Sequence, residues 1–358
     1  MTTAVAGASM TQRRTRDFAA IGIAAALAVT AAMASLVIGP IAIPPQRVAA
    51  ILFGFLDGTA TAGRDAVVVL DVRLPRTVLG VLVGASTALA GAVMQGLFRN
   101  PLADPGVVGV SSGAGLAAAL WFILGAGLGN LVPWNLGTLG LPLSAFAGGL
   151  IVSATLHLLS RREGQTSATL LLLAGIAIGA FTSAGVGVLV FIASEQQLRE
   201  FTFWTLGSLG GATSTKIALV LPFALAFMAV APRLARGLDA LALGEAEAFH
   251  LGIDVERLKR VAVIGVAAAV GASVAVSGVV GFVGLITPHV VRLVIGPAHR
   301  LLLPVTALAG ATFLVTADIV ARTIAAPSEI PLGVITAGVG APFMLWLLLR
   351  QGLAQQLR

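Results

Sequence analysis

Long apolar runs alternate with short polar and charged segments along the whole of this chain. Most of the runs reach the roughly 20 residues that a helix needs to cross a hydrocarbon core. The ten runs are 18–39, 75–97, 107–128, 141–160, 168–193, 214–233, 260–279, a shorter 283–296, 301–323 and 331–350. This pattern predicts an all-α polytopic membrane protein with about ten transmembrane helices in a single domain over residues 1–358.

Composition and charge placement give the predicted protein an orientation. The chain is 58% hydrophobic and only 10% charged, whereas a soluble domain carries roughly a quarter charged residues. Most of the 22 Lys and Arg residues fall in the tail 1–17 and in segments that share one side of the membrane with it. Basic loops stay in the cytoplasm, so we expect both termini and an inner loop at about 234–259 to be cytoplasmic. Topology therefore explains the net charge of +7 without a nucleic-acid partner.

Several kinds of chemistry are missing from the sequence. It has no G-x-x-x-x-G-K-[ST] phosphate loop, no H-E-x-x-H motif and no cysteine, so it is not the ATP-hydrolysing subunit by that route. An ion-coupled carrier keeps ionisable groups deep in the membrane, and here Asp318 and Arg322 are candidates. They lie one helical turn apart, and an intrahelical ion pair explains them equally well. Secondary transport is therefore the weaker alternative.

Small residues recur at helical spacing in GVLVG (80–84), GVSSG (109–113) and GIAIG (175–179). In a membrane, such faces let helix backbones approach closely. GVSSG follows a polar, proline-bounded turn, GLFRNPLADPG (96–106). The turn is predicted to lie in the cytoplasm between two helices, with either a closely packed partner or a passage beside the small face.

Several long motifs occur in one order. They are RLPRTVLGVLVGASTALAGAVMQGLFRNPLADPGVVGVSSGAG, LLLLAGIAIG, SGVVGFVGLITPHVVRL, LLLPVTALAGATFLVTADIVART and EIPLGVITAGVGAPFMLWLLLR. Together they cover most of the chain, and they resemble the permease family of iron–siderophore, haem and cobalamin ABC importers (FecCD/BtuC type).

The resemblance implies the fold of a type II ABC importer permease, in the inner membrane of a bacterium. It implies a homodimer with a path along its axis, two ATP-binding subunits that carry ATP and Mg, and a periplasmic or lipid-anchored binding protein. It implies no cofactor and no metal in this chain. EQQLREFTFWTLGSLGGAT (195–213) is most similar to haem permeases, with ferric siderophores and cobalamin as alternative substrates.

The resemblance also implies three sets of site residues. ATPase coupling is expected at Glu245, Glu247, His250 and Gly252. Because glycine tolerates the left-handed conformation at the end of a helix, Gly252 is also expected to cap a short helix there. Docking of the binding protein is expected at Arg73, Arg76 and Arg322. A cytoplasmic gate is expected at Thr166, Ser167 and Thr169. The alternatives are a solvated connector for the first set, interfacial anchoring for the arginines, and helix capping for the hydroxyl residues.

Overall fold

The structure, a computed structural model, describes residues 2–59, 63–128, 139–162, 165–166 and 168–356. The α-helices in these ranges are α1 Thr2–Val37, α2 Pro45–Leu56, α3 Arg64–Val67, α4 Leu74–Leu97, α5 Val110–Leu128, α6 Gly140–Leu159, α7 Ala168–Ile192, α8 Glu195–Thr205, α9 Ser214–Leu241, α10 Glu245–His250, α11 Val255–Ser277, α12 Val283–Ile295, α13 His299–Thr323 and α14 Leu332–Gln356. The other elements are a π-helical segment Val68–Arg73, a 3₁₀ helix Pro105–Val108, and the antiparallel strands β1 Arg161–Arg162 and β2 Gln165–Thr166.

Each of the ten predicted segments coincides with a helix, and the all-α membrane fold is confirmed. Among the described residues, seven helices are long and apolar enough to cross a membrane, and four shorter apolar helices accompany them. The sequence pattern did not predict α2 or α8, because at 12 and 11 residues they extend only about 18 Å. It also ended the run 214–233 too early, since α9 continues as a helix to Leu241.

Helix α4 lies at the centre of the bundle and packs against α9, α11, α12 and α13. Two of its glycines allow the closest approaches. A Cβ built on Gly84 would overlap the carbonyl of Gly310 on α13, and one on Gly91 would overlap the carbonyl of Gly284 on α12. The close packing expected of GVLVG is therefore confirmed, and dispersion contacts between the backbones replace the hydrophobic driving force that lipid removes.

The small face after the polar turn also packs closely. A Cβ on Gly113 of α5 would overlap the carbonyl of Gly148 on α6, and Gly109 meets Leu156 of the same helix. Gly109 has φ +76°, a left-handed conformation in which a glycine is favoured. The turn thus directs the chain back into the bundle against α6. In GIAIG, by contrast, a Cβ on Gly179 would meet nothing within 4 Å.

The two ends of the bundle are distinguished by the contacts of α13. At its start, the ring Nδ1 of His299 lies 2.7 Å from Oδ1 of Asp239, close to the end of α9. Its 25 residues extend about 37 Å, and near its end Asp318 contacts Arg76 at the start of α4. We call these the α10 end and the arginine end.

Candidate functional site

The predicted inner loop 234–259 is shorter than the sequence indicated. Helix α9 occupies its first part and α11 its last, so that α10 and two turns remain between them. Gly244 precedes α10 with φ +130°, and Glu245 and Glu247 lie in its first turn, where carboxylates stabilise the helix dipole. The four predicted coupling residues therefore all lie on or beside one short helix.

Gly252 ends α10 in a Schellman motif. Its φ is +80°, its N–H donates to Phe249 O at 2.9 Å, and the N–H of Ile253 donates to Ala248 O at 3.0 Å. These two bonds satisfy carbonyls that the end of a helix leaves without partners. The expectation that Gly252 caps the helix in a left-handed conformation is confirmed.

Lys259 holds α10 against α11. Its Nζ lies 2.9 Å from Oε2 of Glu245 and 3.3 Å from Oε1 of Glu256. The lysine side chain is only 9% exposed, whereas that of Glu245 is 51% exposed. One of the predicted coupling carboxylates is thus partly engaged inside the chain, while Glu247 and His250 are exposed.

Three large apolar side chains project from the same short helix and its turns. Leu243 is 67% exposed, Phe249 72% and Leu251 62%. Apolar groups clustered on a surface beside charged ones are typical of a protein interaction site. We call Leu243, Glu247, Phe249, His250 and Leu251 the α10 surface.

At the arginine end, Arg76 is the centre of a buried ion-pair cluster. Its Nε and Nη2 donate to Oδ1 of Asp318 at 3.0 and 2.9 Å. Its Nη1 and Nη2 also donate to the two carboxylate oxygens of Glu329, at 2.8 and 3.0 Å. Arg76 and Asp318 have side chains only 6% and 3% exposed, while Glu329 is 41% exposed. Planar guanidinium groups pair in this bidentate way with carboxylates.

The other two predicted docking arginines hold the end of α1. Arg73 donates to the carbonyls of Leu36 at 2.8 Å and Val37 at 2.7 Å. Arg322 donates through Nη2 to the carbonyl of Ser35 at 2.6 Å and to its hydroxyl at 2.8 Å. Basic side chains stabilise the unpaired carbonyls at a helix C-terminus in this way.

The structure therefore brings the three arginines together but buries them, at 3% exposure for Arg73, 5% for Arg76 and 3% for Arg322. The intrahelical pair is present, with Nε of Arg322 3.7 Å from Oδ2 of Asp318. Glu329 was missed because it follows Arg76 by 253 residues, and no local sequence signal joins them.

The predicted gate residues lie at the connection between α6 and α7. Thr166 is in β2, where it pairs with Arg161 of β1. Thr169 lies in the first turn of α7, and Ser167 lies outside the described residues. Their role in a gate stays a prediction.

Helix α7 is the most exposed of the long apolar helices. Only 11% of its most apolar window is buried, with Ile176 72%, Phe181 76% and Phe191 89% exposed. Together with the open position at Gly179, this leaves a large apolar face without a partner among the described residues.

Asp104, the acidic residue of the polar turn, has a structural role. Its Oδ1 accepts from the N–H of Gly106 at 2.7 Å, so it caps the 3₁₀ helix. Burial raises the pKa of its carboxyl above the ordinary value, and the hydrogen bond opposes that rise. The residues that the structure describes contain no group of three His, Cys, Asp or Glu side chains able to hold a metal ion.

The FecCD transport family matches residues 24–350. The chain is 46% identical over 282 residues to a hemin transport system permease protein of Yersinia pestis, covering 79% of this chain and 83% of the relative. It is 42% identical over 297 residues to a vitamin B12 import system permease protein of Escherichia coli, covering 83% and 88%.

A solved structure of a metal-chelate type ABC transporter, in an inward-facing conformation, superposes on the chain with a TM-score of 0.79 and 32% identity. The match covers 92% of this chain and 98% of the solved one. The similarity thus extends over nearly the whole bundle.

Proposed function

Because the chain belongs to the FecCD transport family of ABC importer permeases, we propose that it carries haem from a substrate-binding protein into the cytoplasm of a bacterium. The observation that favours haem is the 46% identity to a hemin permease. The chemistry of the chain is compatible with this substrate and with other metal chelates, because a finished chelate needs no metal ligand in the path, and the described residues form no metal-binding group.

Ferric siderophores and corrinoids are the alternative substrates, and the corrinoid alternative has support of its own in the vitamin B12 permease at 42% identity. The discriminating experiment is ATP-driven uptake into vesicles that contain the permease, its ATPase and its cognate binding protein. Haemin, a ferric siderophore and cobalamin are offered in parallel. We expect accumulation of haemin. Accumulation of either other chelate without haemin would contradict the haem proposal and leave the importer assignment intact.

Each end of the bundle is proposed to contact a different partner. The α10 surface is the proposed contact with two ATP-binding subunits, because an ATPase can move the permease only through surfaces that it touches. Its exposed Leu243, Phe249 and Leu251 supply apolar contacts, and Glu247 and His250 supply polar ones. The ATPase should no longer co-purify with the Phe249→Asp variant, and it should still co-purify with variants substituted at exposed positions outside the α10 surface.

The exposed face of α7 is the proposed homodimer contact. Ile176, Phe181 and Phe191 would otherwise all face lipid, and close approach at Gly179 would let a second α7 pack tightly. In this dimer the gate residues Thr166, Ser167 and Thr169 would lie near the axis. Cysteines placed at position 167 in both subunits should cross-link in at least one nucleotide state. Absence of a cross-link in every state would argue against a gate there.

Docking of the binding protein is proposed at the arginine end, with the protein in the inner membrane and both termini in the cytoplasm. The described parts of α1 and α14 support cytoplasmic termini, because the N-terminal part of α1 and the C-terminal part of α14 both lie at the α10 end. Since Arg73, Arg76 and Arg322 are already bonded within the chain, docking carboxylates must exchange with an internal acceptor. Half-exposed Glu329 is the acceptor that can leave Arg76 most easily.

Reversal of charge at Arg73 and Arg76 should raise the off-rate of the binding protein. If the same charge reversal also lowers the thermal stability of the permease alone, the arginines have a structural role. Docking insensitive both to reversal and to salt would support interfacial anchoring instead.

A further inference from the structure

A large groove opens between α1, α12 and α13. Its volume is about 1030 Å³. It is open along one side, and it is lined mainly by apolar residues of the three helices. Neither the coupling helix nor the arginine cluster contributes to it, so none of the sites described above accounts for it.

The groove has a buried floor and exposed apolar walls. Ala24, Val291 and Val305, each 6–7% exposed, are packed together as its floor. Ile23 and Leu27 of α1, 63% and 56% exposed, form the walls on one side. The floor is well packed, and the walls still lack a partner among the described residues.

The length of the groove matches one leaflet of a bilayer. Along α1 the lining runs from Arg16 to Leu27, and along α13 it runs from Arg300 to Thr316, which is about 16 Å and about 24 Å of helix. One leaflet with its headgroup region is about 20–22 Å thick, since the whole bilayer is about 40–45 Å thick. A lipid of one leaflet therefore fits this length, whereas a transmembrane helix from another protein would need a face that continues across both leaflets.

The charged groups of the groove lie at the α10 end. Arg16 and Arg300 line it there, both are exposed, and Asp17 is the one acidic residue of the lining. The mouth of the groove is thus positively charged at the depth where lipid headgroups lie, and basic pockets between transmembrane helices bind anionic headgroups.

We propose that this groove is a binding site for an anionic phospholipid, with its acyl chains between α1 and α13 and its phosphate between Arg16 and Arg300. The bound lipid would fill the space beside the inner half of α1. At the arginine end, α1 is joined to α13 by a direct contact between Arg322 and Ser35. The lipid would fill the gap between the same two helices at the α10 end.

The test is retention of added lipid by the purified full-length permease in native mass spectrometry. Phosphatidylglycerol is compared with phosphatidylcholine of the same acyl chains. We expect preferential retention of phosphatidylglycerol. The double variant Arg16→Gln/Arg300→Gln should lose that preference by about 25-fold, the product of about fivefold for each basic residue beside an anionic headgroup.

Two further variants separate the charge from the cavity. Arg64→Gln/Arg199→Gln removes the same charge from exposed positions outside the groove and should leave retention unchanged. Ala20→Trp fills the groove without altering charge and should abolish retention of both lipids at this site. Thermal unfolding in lipid-free detergent shows whether each variant is folded, and added phosphatidylglycerol should then raise the melting temperature of the wild type but not of the Arg16/Arg300 variant.

Three outcomes would overturn the proposal. These are equal retention of the two lipids by the wild type, a preference that survives Arg16→Gln/Arg300→Gln, and an equal loss in the Arg64/Arg199 control. None of these measurements uses transport, so their result is independent of the proposed substrate.

Discussion

Gly252 offers the sharpest test of how α10 works, because its conformation and its surroundings make separable demands. It has φ +80°, and a Cβ built there would meet nothing within 4 Å. A side chain at this position therefore meets no steric obstacle within the chain, and only the left-handed backbone opposes it. For an ordinary L-residue that conformation costs about 1–2 kcal/mol, and more for a β-branched residue.

The magnitude decides what should be observed. A cost of about 1–2 kcal/mol lowers the ratio of capped to uncapped α10 roughly 5–30-fold. Because α10 is only six residues long and is joined to α11 mainly through Lys259, this cost should fall on the local structure of the coupling helix. We expect the melting temperature of the whole permease to change little.

Two variants distinguish the backbone from the surface. Gly252→Val should uncouple ATP hydrolysis from uptake in reconstituted vesicles while the subunit still inserts. Gly252→Asn adds a side chain of similar size, but asparagine tolerates the left-handed conformation, so it should keep most of the coupling. The assay is the number of substrate molecules taken up per ATP hydrolysed.

Each outcome has a defined meaning. If both variants uncouple equally, the ATPase contacts the bare backbone of Gly252, and the capping explanation is wrong. If Gly252→Val transports normally, position 252 does not transmit force at all. A variant that fails to reach the membrane is identified separately by its absence from membrane fractions.

Three other predictions concern packing and charge. Gly91→Ala should lower the free energy of unfolding by about 1–3 kcal/mol or more, because the added Cβ would overlap backbone of α12, whereas the Cβ of Gly22→Ala on α1 would meet nothing within 4 Å; thermal unfolding of the two in the same detergent checks this, and equal melting temperatures would refute it. Asp318→Asn removes a negative charge that compensates the buried Arg76, so it should lower the free energy of unfolding by about 3–5 kcal/mol in the same assay. A decrease below about 1 kcal/mol would show that the half-exposed carboxylate of Glu329 is sufficient to compensate Arg76. Lys259→Met should leave global stability within about 1 kcal/mol, since its partners are partly exposed, but should weaken ATPase binding several-fold in a pull-down titration, and unchanged binding would show that the ion pairs do not position α10.

Local features of this chain were readable from sequence because their causes are local. A run of about 20 apolar residues forms a helix in lipid, since only a helix satisfies all of its backbone groups within the segment itself, and each of the ten predicted segments is helical. The cap at Gly252 was predictable for the same reason, as it depends on the residues of one turn. The boundary of α9 was missed because its last turns are amphipathic and continue the helix beyond the apolar run.

The sequence by itself determined the helices, their order and the small faces that allow close packing. Only the tertiary structure decided which faces meet. It joined Arg76 to Asp318 and Glu329, 242 and 253 residues away, and it left Gly179 open although its motif resembles the ones that pack. The reason is physical: spacing specifies which side of a helix is small or charged, but ion pairing and close contact depend on the positions of other helices, which folding alone brings together.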